Sequence, residues 1–286
     1  MSPTPKLADS LALGPVHITV TDLDRSVGFY QGAIGLQVIE VGDTEASMGA
    51  GGAELLHLVE ERDAAPAGRH AGLYHFALLH PSREELARAL QRIAATRTPI
   101  SGASDHGISE AIYLPDPDGN GIELAADRPR ERWGDLSDPT TIGPAPLDLE
   151  ALLGTVAGDE PRPQADPALA VGHVHLHVGD VDRGLGFYRD VIGFEVKTQF
   201  PSAAFVSVGG YHHHLALNTW RGEGVPPAPE DSVGLRHWTV LLGPPDLDAV
   251  TRRLADAGID TSEDGAAGVI VRDPWKNALL LAARDT

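Results

Sequence analysis

The feature that most constrains this chain is an internal duplication. The segment Gly14–Arg25 reappears as Gly172–Arg183, with an apolar strand, an Asp-containing turn and the start of a helix in the same order. Further along, the strand that carries His75 matches the strand that carries His237. Self-similarity on this scale indicates two copies of one folded unit, so the chain must be interpreted as a duplicated domain.

The repeat predicts three segments. We expect an N-terminal domain at residues 1–126 and a C-terminal domain at residues 169–286, since a chain of 286 residues can form two separate cores. The stretch 127–168 between them is rich in Pro and Asp and is predicted to be a linker. One helix is expected within it, Asp148–Val156, with Asp148 as the N-cap.

Each copy alternates short strands with helices in a pattern that occurs twice. In the first copy, Ser82 is a predicted N-cap for an amphipathic helix at Arg83–Ala95. Strands at Ile108–Leu114 and Gly121–Ala125 follow, joined by a Pro-Asp-Gly-Asn turn. The order predicts an α+β fold of two tandem domains, each a pair of βαβββ units that share one large mixed sheet.

Charge and composition exclude several classes of function. The formal net charge of −19 disfavours binding to nucleic acid or to anionic membrane surfaces. The chain contains no cysteine, which excludes disulfides, thiolate metal sites and thiol catalysis. No apolar run approaches the length of a membrane helix, and the N-terminal residues lack the features of a signal peptide. A cytoplasmic location is therefore expected by default.

Three polar residues lie inside apolar, strand-like runs and need an explanation. They are His17, His75 and Glu123. A single histidine on such a strand is more often a packed side chain than a ligand. Two imidazoles and one carboxylate, however, are the ligand set of an open site for divalent iron. The three residues together therefore predict a metal site.

Several motifs resemble those of the vicinal oxygen chelate superfamily, and specifically the two-domain type I extradiol catechol dioxygenases. The Asp-Pro-Asp-Gly-Asn turn is general to the superfamily, whereas the His-Gly-x-Ser…Tyr element is more specific to the ring-cleaving branch. The residues that carry the resemblance are the His17 strand with Asp22 and Phe29-Tyr30, the His75 strand, Asp105–Leu114 and Asp116–Glu123.

This resemblance implies a fold, a metal site and a reaction. Paired units of the family curl into a U-shaped, partly open barrel with the metal on the concave face. Its ligands would be His17, His75 and Glu123, binding Fe(II), with Mn(II), Zn(II) or Ni(II) as alternatives. The C-terminal copy has Leu280 in place of Glu123, so the site is expected in the N-terminal copy. The implied reaction is extradiol (meta) cleavage of catechol or a substituted catechol by O2.

Three further residues are catalytic candidates by the same resemblance. His57 is expected to act as the acid/base, with a structural role or service as a fourth metal ligand as alternatives. His106 and Tyr113 would donate hydrogen bonds to substrate oxygens. The implied partners are a small aromatic diol and O2, as in aromatic hydrocarbon catabolism, without nucleic acid or membrane; a homo-oligomer is left open.

Other functions compete with ring cleavage. In a glyoxalase I-like isomerase or lyase, His57 or Glu54 would complete a four-ligand Zn or Ni site. A non-catalytic protein that binds aromatic ligands is a further alternative, although such members of the superfamily usually lack the metal ligands. The triplet His212–His214 could join His175 and His237 in a second, all-nitrogen site favouring zinc or nickel. We favour a relic site or a domain contact for these histidines.

Overall fold

The computed structural model describes residues 6–136, 143–264 and 268–284. The helices are α1 (Leu23–Phe29), α2 (Arg83–Thr96), α3 (Leu149–Gly154), α4 (Val181–Phe187) and α5 (Pro244–Asp256). Helices α1 and α4 each continue into a π-helical turn, Tyr30–Ile34 and Tyr188–Ile192, and Arg130–Arg132 forms a short 3-10 turn. The strands are β1 (Ala12–Val20), β2 (Gln37–Val41), β3 (Glu45–Ala50), β4 (Ala53–Glu60), β5 (Gly72–His80), β6 (Gly102–Asp105), β7 (Ser109–Pro115), β8 (Gly121–Asp127), β9 (Ala145–Pro146), β10 (Ala170–His177), β11 (Glu195–Phe200), β12 (Ala203–Ser207), β13 (Leu215–Asn218), β14 (Gly234–Leu242), β15 (Thr261–Asp264), β16 (Gly268–Arg272) and β17 (Ala278–Ala283).

The strands form four βαβββ units and two mixed sheets. The first sheet has the strand order β15-β16-β17-β14-β1-β4-β3-β2, and the second has the order β11-β12-β13-β10-β5-β8-β7-β6-β9. Both sheets end in edge strands, so neither closes into a barrel. The predicted α+β fold, with duplicated units and partly open sheets, is confirmed.

The way in which the units share sheets differs from the expectation. The first unit pairs with the fourth, through antiparallel β1 and β14, and the second pairs with the third, through antiparallel β5 and β10. Consecutive units therefore lie in different sheets, and each sheet takes one unit from each sequence copy. A repeat identifies the units, but it does not say which first strands pair, because either pairing buries the same apolar faces. The domain limits at residues 126 and 169 stay a prediction.

Helix caps predicted from the sequence recur in the structure. The Ser82 side chain accepts a hydrogen bond from the Glu85 amide at the start of α2, and Asp148 caps α3 through the Ala151 amide. Residues 137–142 of the predicted linker lie outside the described residues. The remainder of the linker contributes β9, which pairs with β6, and α3, which packs on α2. The linker therefore lies against the sheet that contains the second and third units.

Both Asp-Pro turns tie together the two units of one copy. The Tyr30 hydroxyl, at the end of α1, donates to the Asp116 carboxylate at 3.1 Å. The Tyr188 hydroxyl makes the same contact with Asp273 at 3.2 Å. These buried contacts connect units that lie in different sheets. Among the described residues, no helix is long and apolar enough to cross a membrane.

Candidate metal centre

Three ligand-type side chains converge on the second sheet. His75 lies on β5, Glu123 on the neighbouring parallel strand β8, and His173 on the antiparallel strand β10. The Nε2 atom of His75 is 3.0 Å from Oε2 of Glu123 and 3.2 Å from Nε2 of His173. Nε2 of His173 is 3.1 Å from the same Glu123 oxygen. The three atoms therefore form a nearly equilateral triangle, and all three residues are buried.

The size of this triangle fits one face of an octahedron. Two ligand atoms about 2.1 Å from a metal ion lie about 3.0 Å apart at an angle of about 90°, and about 3.4 Å apart at a tetrahedral angle. The observed spacings of 3.0 to 3.2 Å are closer to the first value. At most one of the two Nε2 atoms, of His75 and His173, can donate a hydrogen bond to the other, so at least one of them has a lone pair in this direction. The donor set therefore suits a divalent cation with open coordination positions.

The surroundings of the cluster favour an ionised Glu123 and a neutral His75. Burial alone would raise the pKa of Glu123, but contact with His173 and His75 holds that pKa well below its usual range. Burial lowers the pKa of His75, against the opposing effect of Glu123. A carboxylate and a neutral imidazole are the forms that bind metal ions.

Close strand packing places Glu123 beside His75. At Gly121, two residues before the glutamate, an added Cβ would lie 1.9 Å from the carbonyl oxygen of Tyr74. A side chain at this position would force β8 away from β5. Glycine therefore permits the approach that brings the carboxylate to the imidazole.

His106 and Tyr113 meet on the same side of the sheet. Nε2 of His106 is 2.8 Å from the Tyr113 hydroxyl, and the Tyr113 ring lies 5.7 Å from the His75 ring. Burial raises the pKa of the Tyr113 phenol, with a further contribution from nearby Glu123. Burial lowers the pKa of His106. Tyr113 is therefore held as a protonated donor next to the cluster, and His106 contacts it; their predicted role as donors to substrate stays a prediction.

A chain of hydrogen bonds leads from Asp127 to His213. Oδ1 of Asp127 is 3.0 Å from Nε2 of His212, and the Nδ1 atoms of His212 and His213 are 2.7 Å apart. The carboxylate can only accept, so Nε2 of His212 donates to it, and Nδ1 of a neutral His212 accepts from His213. This leaves Nε2 of His213 as a proton acceptor. The His213 ring lies 4.1 Å from that of His173, and burial lowers its pKa well below the usual range.

The structure corrects the placement of His17. This residue lies on β1 in the first sheet, where its ring contacts are with His57 at 4.5 Å and His237 at 3.9 Å. His173, from the second sequence copy, occupies the third place beside His75 and Glu123. The site is therefore not confined to the N-terminal copy. The cause is the pairing of units, since β5 has β10 and not β1 as its neighbour.

The placement of His57 changes for the same reason. It lies on β4 in the first sheet, next to His17 and Glu54, so it is not brought to the His75 cluster. His213 is the histidine that the structure places beside that cluster. Its signal in the sequence was the triplet His212–His214, which the repeat assigns to the unit containing β10. His237 lies in the first sheet, so it does not join the triplet in an all-nitrogen site.

His175 shows why the register on β10 mattered. It is the counterpart of His17 in the repeat, and it faces the same side of the strand as His173. Its Nε2 atom accepts a hydrogen bond of 2.9 Å from Nδ2 of Asn218, whose Oδ1 atom is 2.7 Å from Nδ1 of His177. The lone pair of His175 is thus used within the protein. Strand periodicity alone does not distinguish these histidines.

An aromatic rim borders this histidine layer. The Tyr74 ring lies 4.8 Å from the His75 ring and 5.0 Å from the His175 ring. Trp220 lies edge-on to Tyr74 at 5.3 Å, and both side chains are partly exposed. Flat apolar surfaces of this kind can hold an aromatic ring by stacking or edge contacts.

Comparison with known proteins agrees with the geometry. The family model for the Glyoxalase/Bleomycin resistance protein/Dioxygenase superfamily matches residues 12–124 and 170–281. A catechol-2,3-dioxygenase of Bacillus subtilis is 41% identical over 275 residues, which cover 94% of this chain and 95% of the relative. The predicted resemblance, to an oxidoreductase of the catechol 2,3-dioxygenase type, is thus confirmed.

Solved structures show the same fold at low sequence identity. One from Bacillus subtilis superposes with a TM-score of 0.65 at 15% identity, covering 96% of this chain and 86% of the other. Glyoxalase I from Zea mays superposes with a TM-score of 0.60 at 17% identity, covering 96% of this chain and 92% of the other. The shared architecture is therefore compatible with more than one chemistry.

Proposed function

Because the chain belongs to the Glyoxalase/Bleomycin resistance protein/Dioxygenase superfamily, we propose that it is an Fe(II)-dependent extradiol dioxygenase that cleaves a catechol ring with O2. The observation that carries the proposal is the triangle of His75, Glu123 and His173 ligand atoms, 3.0 to 3.2 Å apart. The catechol-2,3-dioxygenase relative, which covers nearly the whole chain, supports the choice of substrate class.

His75, Glu123 and His173 would hold the metal. Two neutral imidazoles and one carboxylate leave a divalent ion with a net single positive charge, which suits a catechol monoanion that binds through its adjacent oxygens. Bound Fe(II) would supply open positions for the diol and O2 and would transfer electrons between them. The buried surroundings strengthen the attraction between this charge and the substrate anion.

His213 is the proposed general base. The hydrogen bond from its Nδ1 to His212, which in turn is held by Asp127, fixes the tautomer with an unprotonated Nε2. A base in this state can take a proton from a catechol hydroxyl and return it later to the opened product. Asp127 and His212 act through His213 and are positioning residues. His213 thus takes over the acid/base role that the sequence assigned to His57.

His106 and Tyr113 are proposed hydrogen-bond donors. Tyr113 keeps its proton because the pKa of its phenol is raised, and its hydroxyl shares a hydrogen bond with His106. A donor held in place before reaction stabilises negative charge as it develops on a substrate oxygen. Tyr74 and Trp220 would contact the flat ring at the rim of the site.

The glyoxalase I-like alternative has less support from this geometry. That alternative required His57 or Glu54 to complete a four-ligand site with His17, His75 and Glu123. Both residues lie in the first sheet, in a separate cluster with His17. A non-catalytic ligand-binding function would not require the buried metal-ligand triangle. Cytoplasmic location and a homo-oligomer stay predictions.

Anaerobic reconstitution tests the proposal. The metal-free protein is loaded separately with Fe(II), Mn(II), Zn(II) and Ni(II), then mixed with catechol and O2. We expect oxygen uptake and a yellow ring-opened product with Fe(II). Absence of uptake with a panel of catechols, together with turnover of a hemithioacetal by the Ni or Zn form, would select the isomerase instead.

A further inference from the structure

A second cluster of ligand-type side chains lies in the first sheet, away from the proposed iron site. It consists of His17 on β1 with Glu54 and His57 on β4. Their ligand atoms all lie within 4.8 Å of one another. The backbone positions of His17 and His57 pair directly across the parallel strands, and His237 pairs with His17 on its other side. Three imidazole rings therefore stack in one row across three strands.

This cluster is not a second copy of the iron site. In the first sheet, the repeat places Pro15 at the position of His173 and Leu280 at that of Glu123. The strand register agrees for the latter, since Leu280 pairs with Thr239 as Glu123 pairs with Ala77. The cluster instead uses His17, two residues after Pro15 on β1, together with side chains of β4. It therefore needs an explanation other than inheritance from the duplicated site.

The hydrogen bonds within the cluster hold its ligand atoms together. Nδ1 of His57 is 3.0 Å from Oε1 of Glu54 and 3.1 Å from Oγ of Ser47, and its Nε2 is 3.4 Å from Glu45. Within the described part of the chain, the His17 ring has no hydrogen-bond partner, although it is packed between two other rings. An imidazole held in this way, beside a carboxylate, has a lone pair available for a ligand.

We propose that His17, Glu54 and His57 bind a late divalent transition-metal ion, with Zn(II) as the simplest probe. Two imidazoles and one carboxylate match the donor preference of such ions, and affinity for nitrogen ligands rises towards the end of the series. Binding replaces the hydrogen bond between His57 and Glu54 with two metal–ligand bonds, and the neutral His57 ring then carries its proton on the nitrogen that does not bind the ion.

The cluster is accessible to an ion from solvent. All three residues are only partly buried, unlike the buried His75 cluster. A cavity of about 520 Å³ borders this part of the sheet and is lined by His237, whose ring stacks on that of His17. Glu45, whose side chain is 62% exposed, could swing in as a fourth ligand. The site would thus exchange metal more readily than the buried one.

Zinc stoichiometry tests the proposal independently of ring cleavage. Metal-free full-length protein is titrated with Zn(II) against a chromogenic chelator. We expect two equivalents in the wild type and one in the Glu123→Gln/His173→Gln variant, in which the buried site is removed. Adding Glu54→Gln to this variant should weaken the remaining equivalent by at least about tenfold, and adding His57→Gln as well should abolish it.

Two controls guard against misfolding and non-specific charge effects. Glu60→Gln removes another carboxylate from β4 and should leave zinc binding unchanged in the same background. Zn(II) should raise the midpoint of thermal unfolding in the Glu123→Gln/His173→Gln variant; Glu54→Gln should reduce that increase, and Glu54→Gln with His57→Gln should abolish it. Absence of a second equivalent in the wild type, or its persistence after both Glu54 and His57 are replaced, would overturn the proposal.

Discussion

The two sheets have the same unit topology, but their histidine clusters differ in geometry and burial. In the second sheet, three strands contribute one ligand atom each, and the atoms lie 3.0 to 3.2 Å apart. In the first sheet, two strands contribute the cluster, whose ligand atoms lie within 4.8 Å of one another and whose residues are only partly buried. The same topology therefore occurs twice, and single differences, such as Leu280 in the position of Glu123, determine which sheet carries a buried triad of two histidines and one carboxylate.

The largest expected effect comes from removing the carboxylate that distinguishes the two sheets. Glu123→Gln should lower kcat/KM for catechol by more than about a hundredfold, since a direct ligand matters more than the outer partners whose loss costs about 10- to 100-fold. The iron content of the purified protein, measured alongside oxygen uptake, should fall too. Glu110→Gln, which changes another buried carboxylate, should keep bound iron. Equal losses in both variants would mean that buried charge in general, and not ligation, is responsible.

The second prediction concerns the base. In the first sheet, Glu54 occupies the position that corresponds to His213. Each of these residues lies three positions before the residue that pairs with β10 or β1, namely Ala216 for His213 and His57 for Glu54. His213→Asn should reduce kcat by about a hundredfold or more while leaving iron binding intact, because general-base catalysis contributes about 10²- to 10⁴-fold. Steady-state oxygen uptake with metal analysis measures both quantities.

His214 offers a matched control for that experiment. Its Nδ1 atom is 2.7 Å from the Ser207 hydroxyl, so it belongs to a separate contact. His214→Asn should retain kcat within about threefold, because its hydrogen bond to Ser207 is not part of the proposed proton transfer. Loss of that bond should lower only the stability, by about 0.5 to 1.5 kcal/mol. If both variants lost activity equally, a specific role for His213 would be excluded.

The third prediction concerns stability and pH. His80 on β5 is 2% exposed, and burial, assisted by nearby Arg92, lowers its pKa from 6.5 to about 3. The unfolded chain therefore binds a proton below pH 6.5 that the folded chain does not bind until about pH 3, so this residue makes the unfolding free energy fall as the pH drops through that window. At pH 5, the loss is about 2 kcal/mol.

The first sheet suggests the variant that tests this effect. The corresponding position on β14 is Leu242, which is buried. His80→Leu should therefore remove about 2 kcal/mol of acid destabilisation between pH 7 and pH 5. Denaturant unfolding of the variant and the wild type at both pH values measures the difference. An unchanged pH dependence would show that another group causes it.

The smallest effect is expected at Tyr113. The repeat places Ile270 of the first sheet at the position of Tyr113. In the second sheet, the Tyr113 hydroxyl forms a hydrogen bond with His106. Tyr113→Phe should lower kcat about tenfold, the loss expected for a hydrogen bond of about 1.5 kcal/mol to a charged group. Stopped-flow measurement of product formation checks this. A change in KM alone would assign Tyr113 to binding of the ground state.

Much of the fold was predictable because local signals were strong. The duplication identified the units, Ser82 and Asp148 marked helix starts, and His75 and Glu123 were correctly seen as polar residues in apolar strands. Each of these features depends on residues close in sequence or on a repeated motif. His106 and Tyr113 were singled out by the resemblance as hydrogen-bond donors, but the hydrogen bond between them is a finding of the structure.

The remaining features depended on contacts between distant units. Long-range packing determines that β5 pairs with β10 and not with β1. As a result, His173 and His213 lie beside His75 and Glu123, where the sequence predicted His17 and His57. Strand alternation places His173 and His175 on the same face, so periodicity could not choose between them. The choice follows from the strand register and from the hydrogen bond between Asn218 and His175, neither of which a single sequence displays.

We propose that the iron site joins the two sequence copies through His173 and does not include His17. The most direct test compares His173→Gln with His17→Gln after anaerobic loading with Fe(II), with bound iron and catechol-dependent oxygen uptake as readouts. We expect His173→Gln to lose both tight iron binding and oxygen uptake, and His17→Gln to retain them. Retention by His173→Gln with loss in His17→Gln would contradict the proposal.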